Sequence, residues 1–348
     1  MGAIAQDAHL PSYAKRGDVE IRAFADPETD RAREFAERFA HDKGRRTPRV
    51  YASLAEMADG EGGRLDAVSV CTPNVSHVSL ALQALAKGWH VLLEKPMGTL
   101  LDEAEQLVEA VRSSGKQLMV GMSHRYREDV EVLRRFIAAG DLGDVYFAKT
   151  RILRRRGTPK GWFTDVQQSG GGPLMDIGVH ALDLTWWLTG ALQAKSVSGF
   201  LYKGIGRDNL DFIRSWAARS AGNEGNEVYT TEDFAAGFFR MAGGMVLELE
   251  VSWALNGPED DALKMEIFGS KGGVSLDPLR VYSTAHGVLT TTTPSVGMGA
   301  FFDREINHFL HCVQTGETPV SNAEQGRDIV RMLAALGESS ALGREVAL

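Results

Sequence analysis

The stretch Ala67-Val68-Ser69-Val70-Cys71-Thr72-Pro73-Asn74-Val75-Ser76-His77 decides the fold class. A β-branched apolar run ends in a Thr-Pro-Asn turn, and a helical pattern then runs from about Val75 to Lys87. The same grammar extends in both directions. Upstream, Val19–Asp26 reads as a strand and Thr29–Ala40 as a charged helix. Downstream come a strand at His90–Leu93, a helix at Leu101–Ser114 and a strand at Gln117–Val120. The strands are short and apolar throughout, as strands covered on both faces must be. Strand and helix in strict alternation predict βαβ units and a parallel sheet.

The pattern changes near Gly121. A helix around Asp129–Ala139 precedes longer runs of strand composition at Val145–Leu153, Phe234–Phe239, Met245–Trp253, Leu263–Phe268 and Val281–Thr293. Gly243-Gly244 and Gly272-Gly273 read as turns between them. A mostly antiparallel sheet is expected, and Ala300–Leu348 returns to helical periodicity. Residues 207–229, rich in Gly and Asn, read as a long loop. Two domains are expected, residues 1–122 and 123–348, which suits a chain of 348 residues.

The net charge of −8 speaks against nucleic acid as a partner and against attraction to anionic membrane surfaces. No apolar run approaches the ~18 residues of a membrane span. Two cysteines, Cys71 and Cys312, leave no disulfide framework, and both read as structural. With no visible secretory signal, the expected location is cytoplasmic.

A parallel α/β domain invites a search for a phosphate-binding loop, whose full form is G-x-G-x-x-G/A between a strand and a helix. The chain opens Met1-Gly2-Ala3-Ile4-Ala5, which supplies the second and third small positions only. Gln6–Lys15 is the candidate helix behind it, and Asp26 stands near the offset of a ribose-binding acid. Asp26 could equally cap the helix that follows.

Three further segments carry a resemblance: Thr72-Pro73-Asn74-Val75-Ser76-His77, then Gly88-Trp89-His90-Val91-Leu92-Leu93-Glu94-Lys95-Pro96, then Ser169-Gly170-Gly171-Gly172-Pro173-Leu174-Met175-Asp176-Ile177-Gly178-Val179-His180. In this order they resemble the glucose–fructose oxidoreductase / inositol dehydrogenase (Gfo/Idh/MocA) family over nearly the whole chain. Glu232-Asp233, Gly243-Gly244 and Gly343-Arg344-Glu345-Val346 join the likeness. The resemblance implies an N-terminal Rossmann domain, a doubly wound parallel sheet, and a C-terminal α+β domain with a mostly antiparallel open-faced sheet. It matches the family's opening only from the second glycine, so the first Rossmann strand is apparently lacking. The given start is expected to lie roughly ten residues late.

The resemblance also implies roles. Lys95 would touch the nicotinamide ribose and the reacting hydroxyl, where a cation stabilises a developing alkoxide. Gly2, Ala3 and Ile4 would face the cofactor phosphates, and Asp26 the adenosine ribose, favouring NAD over NADP because no Arg immediately follows it. Thr72, Pro73 and Asn74 would pack on the nicotinamide side. His77 would reach the pyrophosphate or ribose, and Glu94 the nicotinamide ribose or carboxamide.

Asp176 and His180 stand four apart on a predicted helix and so share a face. Oxidising a carbinol needs a base for the hydroxyl proton, a role that suits His180. Asp176 would orient substrate or tune Lys95 and His180. Asp183, one turn on, reads as a packing residue, and no metal is expected. His124, Arg125 and Trp162 are further substrate candidates. Arg154-Arg155-Arg156 reads either as a solvated edge or as a pocket wall.

The expected activity is NAD(P)-dependent interconversion of a secondary hydroxyl and a ketone on a sugar, cyclitol or related polyol. The alternatives are a glycosidase working through transient oxidation by NAD and a non-catalytic NAD- or sugar-sensing regulator. An open sheet face needs cover, so a homodimer or homotetramer through the C-terminal sheet is expected.

Overall fold

A computed structural model describes residues 1–207, 228–258, 263–297 and 299–348. The chain enters a helical segment that begins as a π turn, Ala5–His9, and continues as α1 (Leu10–Ala14). There follow β1 (Ala23–Ala25), α2 (Thr29–Lys43), β2 (Arg49–Tyr51), α3 (Leu54–Glu61), β3 (Ala67–Val70), α4 (His77–Ala86), β4 (His90–Glu94), α5 (Leu101–Ser114) and β5 (Leu118–Gly121). Every strand pair in this half is parallel. The sheet is in two pieces, β1-β2 and β3-β4-β5, with no ladder joining them among the described residues.

The expected strand at Val19–Asp26 is therefore short. Its partner β2 offers only three residues of register, Ala23↔Arg49 to Ala25↔Tyr51. Among the described residues no strand lies beside the other edge of β1. By contrast α5 has the expected bounds. Asp102 and Glu103 suit the helix N-terminus, and Gly115, at φ 65°, stops it.

The second half runs α6 (Glu128–Ala138), β6 (Val145–Leu153), α7 (Val166–Ser169), a π turn Leu174–Gly178 leading into α8 (Val179–Leu188), β7 (Ala194–Tyr202), β8 (Phe234–Met241), β9 (Val246–Ser252), β10 (Leu263–Gly269), β11 (Gly272–Leu276), β12 (Arg280–Ala285), β13 (Val288–Thr292), α9 (Phe301–Thr315), α10 (Ala323–Leu342) and β14 (Val346–Ala347). Nine strands form one sheet in the order β13-β12-β11-β10-β6-β9-β8-β7-β14. All its pairs are antiparallel except β6 with β9.

Side-chain alternation makes this sheet two-faced. On β8, Ala235, Phe239 and Met241 are buried while Phe238 is exposed. Leu336 of α10 lies against Gly199 and Gly237, where a Cβ would come within 2.4 Å of it. The other face leaves Phe200, Tyr202, Phe238 and Tyr282 exposed.

One strand reading and one turn reading change. Val281–Thr293 is a hairpin, β12 and β13, joined by His286 (φ 52°) and Gly287 (φ 78°). Positive φ at both central residues suits a tight two-residue turn. Gly272-Gly273 lies inside β11 rather than in a turn. Gly243-Gly244 does make the β8–β9 turn. Most of the predicted loop at 207–229 lies outside the described residues.

Candidate active site

Lys95 follows β4 directly, at the carboxyl end of the parallel sheet, where such sheets gather their ligands. Its Nζ donates to the Asp176 backbone oxygen at 2.7 Å and to Asp176 Oδ1 at 3.2 Å. An ammonium has three donors. Two are spent on Asp176, leaving one to face a ligand.

Asp176 is held from its other side as well. The indole Nε1–H of Trp253, a fully buried residue just past β9, donates to Asp176 Oδ2 at 3.1 Å. Each carboxylate oxygen thus has its own partner. Asp176 lies in the π turn and His180 in α8, so the four-residue spacing crosses a change of helix type. Single π turns of this kind are frequent at functional sites. No hydrogen bond joins Asp176 to His180; Lys95 is what relates them.

His180 stacks on His124, with ring centroids 4.6 Å apart and planes 16° from parallel. Phe301 meets His124 edge-on. Nδ1 of both rings is buried without a partner. Burial holds the His180 imidazole well below its ordinary value, and the charges of Lys95, His124 and Arg154 add to the effect. Burial, then Arg127 and Lys95, push His124 down to about 4. Both rings are neutral at neutral pH. A neutral imidazole has a lone pair with which to accept a proton.

The end of β4, just before Lys95, is fastened from the interior. Glu94 Oε1 lies 2.8 Å from His9 Nε2, deep in the interior. Burial raises the Glu94 carboxyl, but the hydrogen bond and charge of His9, with Lys95, outweigh it and hold the group ionised. Gly121 permits this packing, because a Cβ there would sit 3.2 Å from Glu94 Oε1.

Several expected site residues are turned to structural use. His77 is buried, with Nδ1 2.7 Å from the Pro96 oxygen and Nε2 2.9 Å from the Thr72 oxygen. Both ring nitrogens thus face backbone oxygens. Asn74 is also buried and donates to the Ser169 oxygen at 2.8 Å. It ties the Thr72-Pro73 turn to the segment entering the Asp176 helix. Arg125, expected on substrate, is buried in a forked ion pair with Asp183, with Nε 2.8 Å from Oδ2. It also reaches Gln325 Oε1 at 2.6 Å. Its charge is spent on joining α8 to α10, as packing was expected of Asp183.

Trp162 stacks on Phe163 with ring centroids 4.1 Å apart, and among the described residues no hydrogen bond or ring contact joins it to Lys95, Asp176 or His180. Arg156 of the basic run donates to the Leu255 oxygen and Asn256 Oδ1, so it fastens chain rather than facing the cluster.

Asp26, just past β1, accepts from the Glu28 amide at 2.8 Å, a bond that closes the turn leading into α2. It also pairs with the Met1 ammonium and, at 3.3 Å, with Arg31. No Arg follows Asp26 immediately in sequence, but α2 brings Arg31 back to it. The residues fit a dinucleotide in outline. Asp26, Thr72-Pro73 and Lys95 stand past the carboxyl ends of β1, β3 and β4, and residues 3–14 form the helix behind Gly2. A Cβ on Gly2 would meet only the Cys71 oxygen, at 3.7 Å.

Sequence reasoning missed Trp253, Arg31, His9 and the part played by Glu232. Trp253 and Glu232 act on residues 77 and 60 positions away, which no local pattern reports. Arg31 lies five residues from Asp26, across the start of α2, where the helix spacing rule gives no signal.

The family model described as "Oxidoreductase family, NAD-binding Rossmann fold" matches residues 1–122. The model of the GFO/IDH/MocA C-terminal domain matches residues 130–275. D-glucoside 3-dehydrogenase of Escherichia coli (strain K12) is 32% identical over 353 residues, covering 100% of this chain and 95% of that protein. The NAD(+)-dependent scyllo-inositol 2-dehydrogenase of Bacillus subtilis (strain 168) is 25% identical over 308 residues, 87% of this chain and 81% of its own. Among solved structures, levoglucosan dehydrogenase in complex with NADH and L-sorbose superposes with a TM-score of 0.82 at 20% identity, covering 100% of this chain and 96% of that one.

Proposed function

The chain belongs to the Gfo/Idh/MocA oxidoreductase family and is an NAD(P)-dependent oxidoreductase of polyol hydroxyls, and from that premise we propose that Lys95, Asp176 and His180 carry its chemistry. The substrate is a sugar or cyclitol with a free secondary hydroxyl, as the names of the relatives suggest. The observation that carries this reading is the Lys95–Asp176 pair beside a neutral His180.

The roles follow from charge. The third Lys95 N–H donates to the substrate oxygen and favours its alkoxide character. His180 takes the hydroxyl proton and becomes an imidazolium. The surrounding cations oppose that charge until negative charge grows on the substrate oxygen, which offsets them. Asp176, gripped by Lys95 and Trp253, fixes the direction of the ammonium. The bound nicotinamide supplies the hydride acceptor for the carbinol carbon. Reduction of a ketone uses the same groups in reverse.

The cofactor assigned is NAD, with Asp26 on the adenosine ribose, Gly2, Ala3 and Ile4 behind the phosphates, and Thr72 and Pro73 beside the nicotinamide. Residues 1–122 form the nucleotide-binding part, and residues 123–348 bind substrate and assemble the oligomer. Exposed Phe200, Tyr202 and Phe238 support pairing through the open sheet face into a homodimer or homotetramer. Unpaired Cys71 and Cys312 support a cytoplasmic location.

The test is a fluorescence titration with NADH and NADPH, then a screen of sugars and cyclitols with NAD+ as oxidant. Tighter binding of NADH and turnover of at least one polyol are expected. NADH binding with no turnover across the panel would overturn the catalytic assignment.

A further inference from the structure

The segment that delivers Asp176 begins with an awkward run of backbone. Gly170 takes φ +75°, Gly171 and Gly172 follow, and Pro173 supplies no N–H. A helix start leaves its first amides without partners inside the helix. Here the two amides flanking Pro173 are both taken by one side chain from a distant part of the chain. Gly172 N donates to Glu232 Oε2 at 2.8 Å, and Leu174 N donates to Glu232 Oε1 at 3.1 Å. The approach is close. A Cβ on Gly172 would stand 2.3 Å from the Glu232 backbone oxygen, so only glycine fits.

The turn thus held contains Asp176, three residues past Pro173. A slip of this turn would carry the Asp176 carboxylate off Lys95 Nζ on one side and Trp253 Nε1 on the other. Burial raises the Glu232 carboxyl, while the two amides oppose the shift. Among the described residues Glu232 makes no hydrogen bond or ion pair with Lys95, Asp176 or His180. What it touches is the backbone that sets Asp176.

We propose that Glu232 is a positioning residue: by clamping the Gly172 and Leu174 amides it fixes the turn that presents Asp176 to Lys95. The proposal rests on the dehydrogenase reading above for its catalytic consequence, but its structural consequence is independent of that reading. Removing the clamp frees the turn, and a misplacement on the order of 1 Å at a reacting centre lowers kcat by about 100-fold. Gln keeps one acceptor and turns the other into a donor facing a donor, so it restores part of the loss.

The experiment compares wild type, Glu232→Ala and Glu232→Gln in two readouts. The first is the indole proton of Trp253, followed by NMR as a reporter of where Asp176 sits. The second is kcat, KM and the NADH dissociation constant with whichever polyol the wild type oxidises. In Glu232→Ala the Trp253 signal should shift and exchange faster, and kcat should fall about 100-fold with NADH affinity unchanged. Glu232→Gln should lie between, and it carries the test if the Ala variant does not fold. An unmoved Trp253 signal, or an unchanged kcat, in either folded variant overturns the proposal. A wild type inert to every polyol, with the Trp253 shift present in the variants, would refute the dehydrogenase reading and leave the clamp standing.

Discussion

The catalytic end and the nucleotide end of this molecule are built differently. At the catalytic end each charged group is answered from within. Asp176 has Lys95 and Trp253, the helix entry has Glu232, and Glu94 has His9. Residues from both halves meet there, since Lys95 comes from the parallel sheet and Asp176 from beyond β6. At the nucleotide end the sheet is divided, β1 is three residues long, and Asp26 is answered by the Met1 ammonium and Arg31. The difference is that Lys95 and Asp176 are held by partners from several elements, whereas Asp26 is held by a short turn and exchangeable charges.

The comparison is broken most severely by attacking the junction. Arg125→Ala leaves Asp183 charged and buried with its partner gone, which should cost about 3–5 kcal/mol of stability. Thermal unfolding will measure this, and kcat of the folded fraction should be unchanged. A large loss of kcat with normal stability would return Arg125 to the substrate.

The nucleotide end gives a smaller effect. Asp26→Ser removes the acid expected on the ribose and frees Arg31 for a 2′-phosphate. NADH should bind about tenfold more weakly, a change worth about 1.4 kcal/mol, while NADPH binds more tightly. Equal weakening of both cofactors would mean that Asp26 serves only to hold the turn before α2.

A third, smaller effect concerns Glu305 on α9, whose carboxylate oxygens are both buried without partners. Burial, with the charge of Glu94 near it and His9 opposing, pushes its carboxyl up to about 8. The folded protein then holds a proton that the unfolded chain releases between the ordinary carboxylate range and pH 8. Stability contributed by this group is full at low pH and falls as pH rises through that window. Glu305→Gln should remove the slope, gaining on the order of 3 °C over wild type at pH 8 and little at pH 5. A gain independent of pH would show that Glu305 stays ionised.

Much of this was legible in the sequence. The bounds of α5 and β6 were read correctly, because a clean apolar period and a glycine stop leave little choice. Lys95, Asp176 and His180 were named in advance, and they do converge. Asn74, His77 and Arg125, read as facing ligands, are bonded to distant parts of the chain, which the sequence did not announce. A polar residue after a strand turns either to a ligand or to backbone, and the local sequence carries no sign of which. Their partners, Ser169, Pro96 and Asp183, lie 95, 19 and 58 residues away. The shortening of β1 was equally hidden, since strand length depends on the neighbours and not on the run alone.

The central claim is that neutral His180 takes the substrate proton beside a Lys95 aimed by Asp176. It is tested most directly by kcat for polyol oxidation, measured across pH, in wild type and in His180→Ala. Because burial and nearby cations hold His180 below its ordinary value, it stays neutral as pH falls through the usual histidine range. Wild-type turnover should therefore persist below pH 6.5, and His180→Ala should be slower by about 10³-fold with NADH affinity intact. A His180→Ala enzyme with wild-type turnover and the same pH profile would contradict the account.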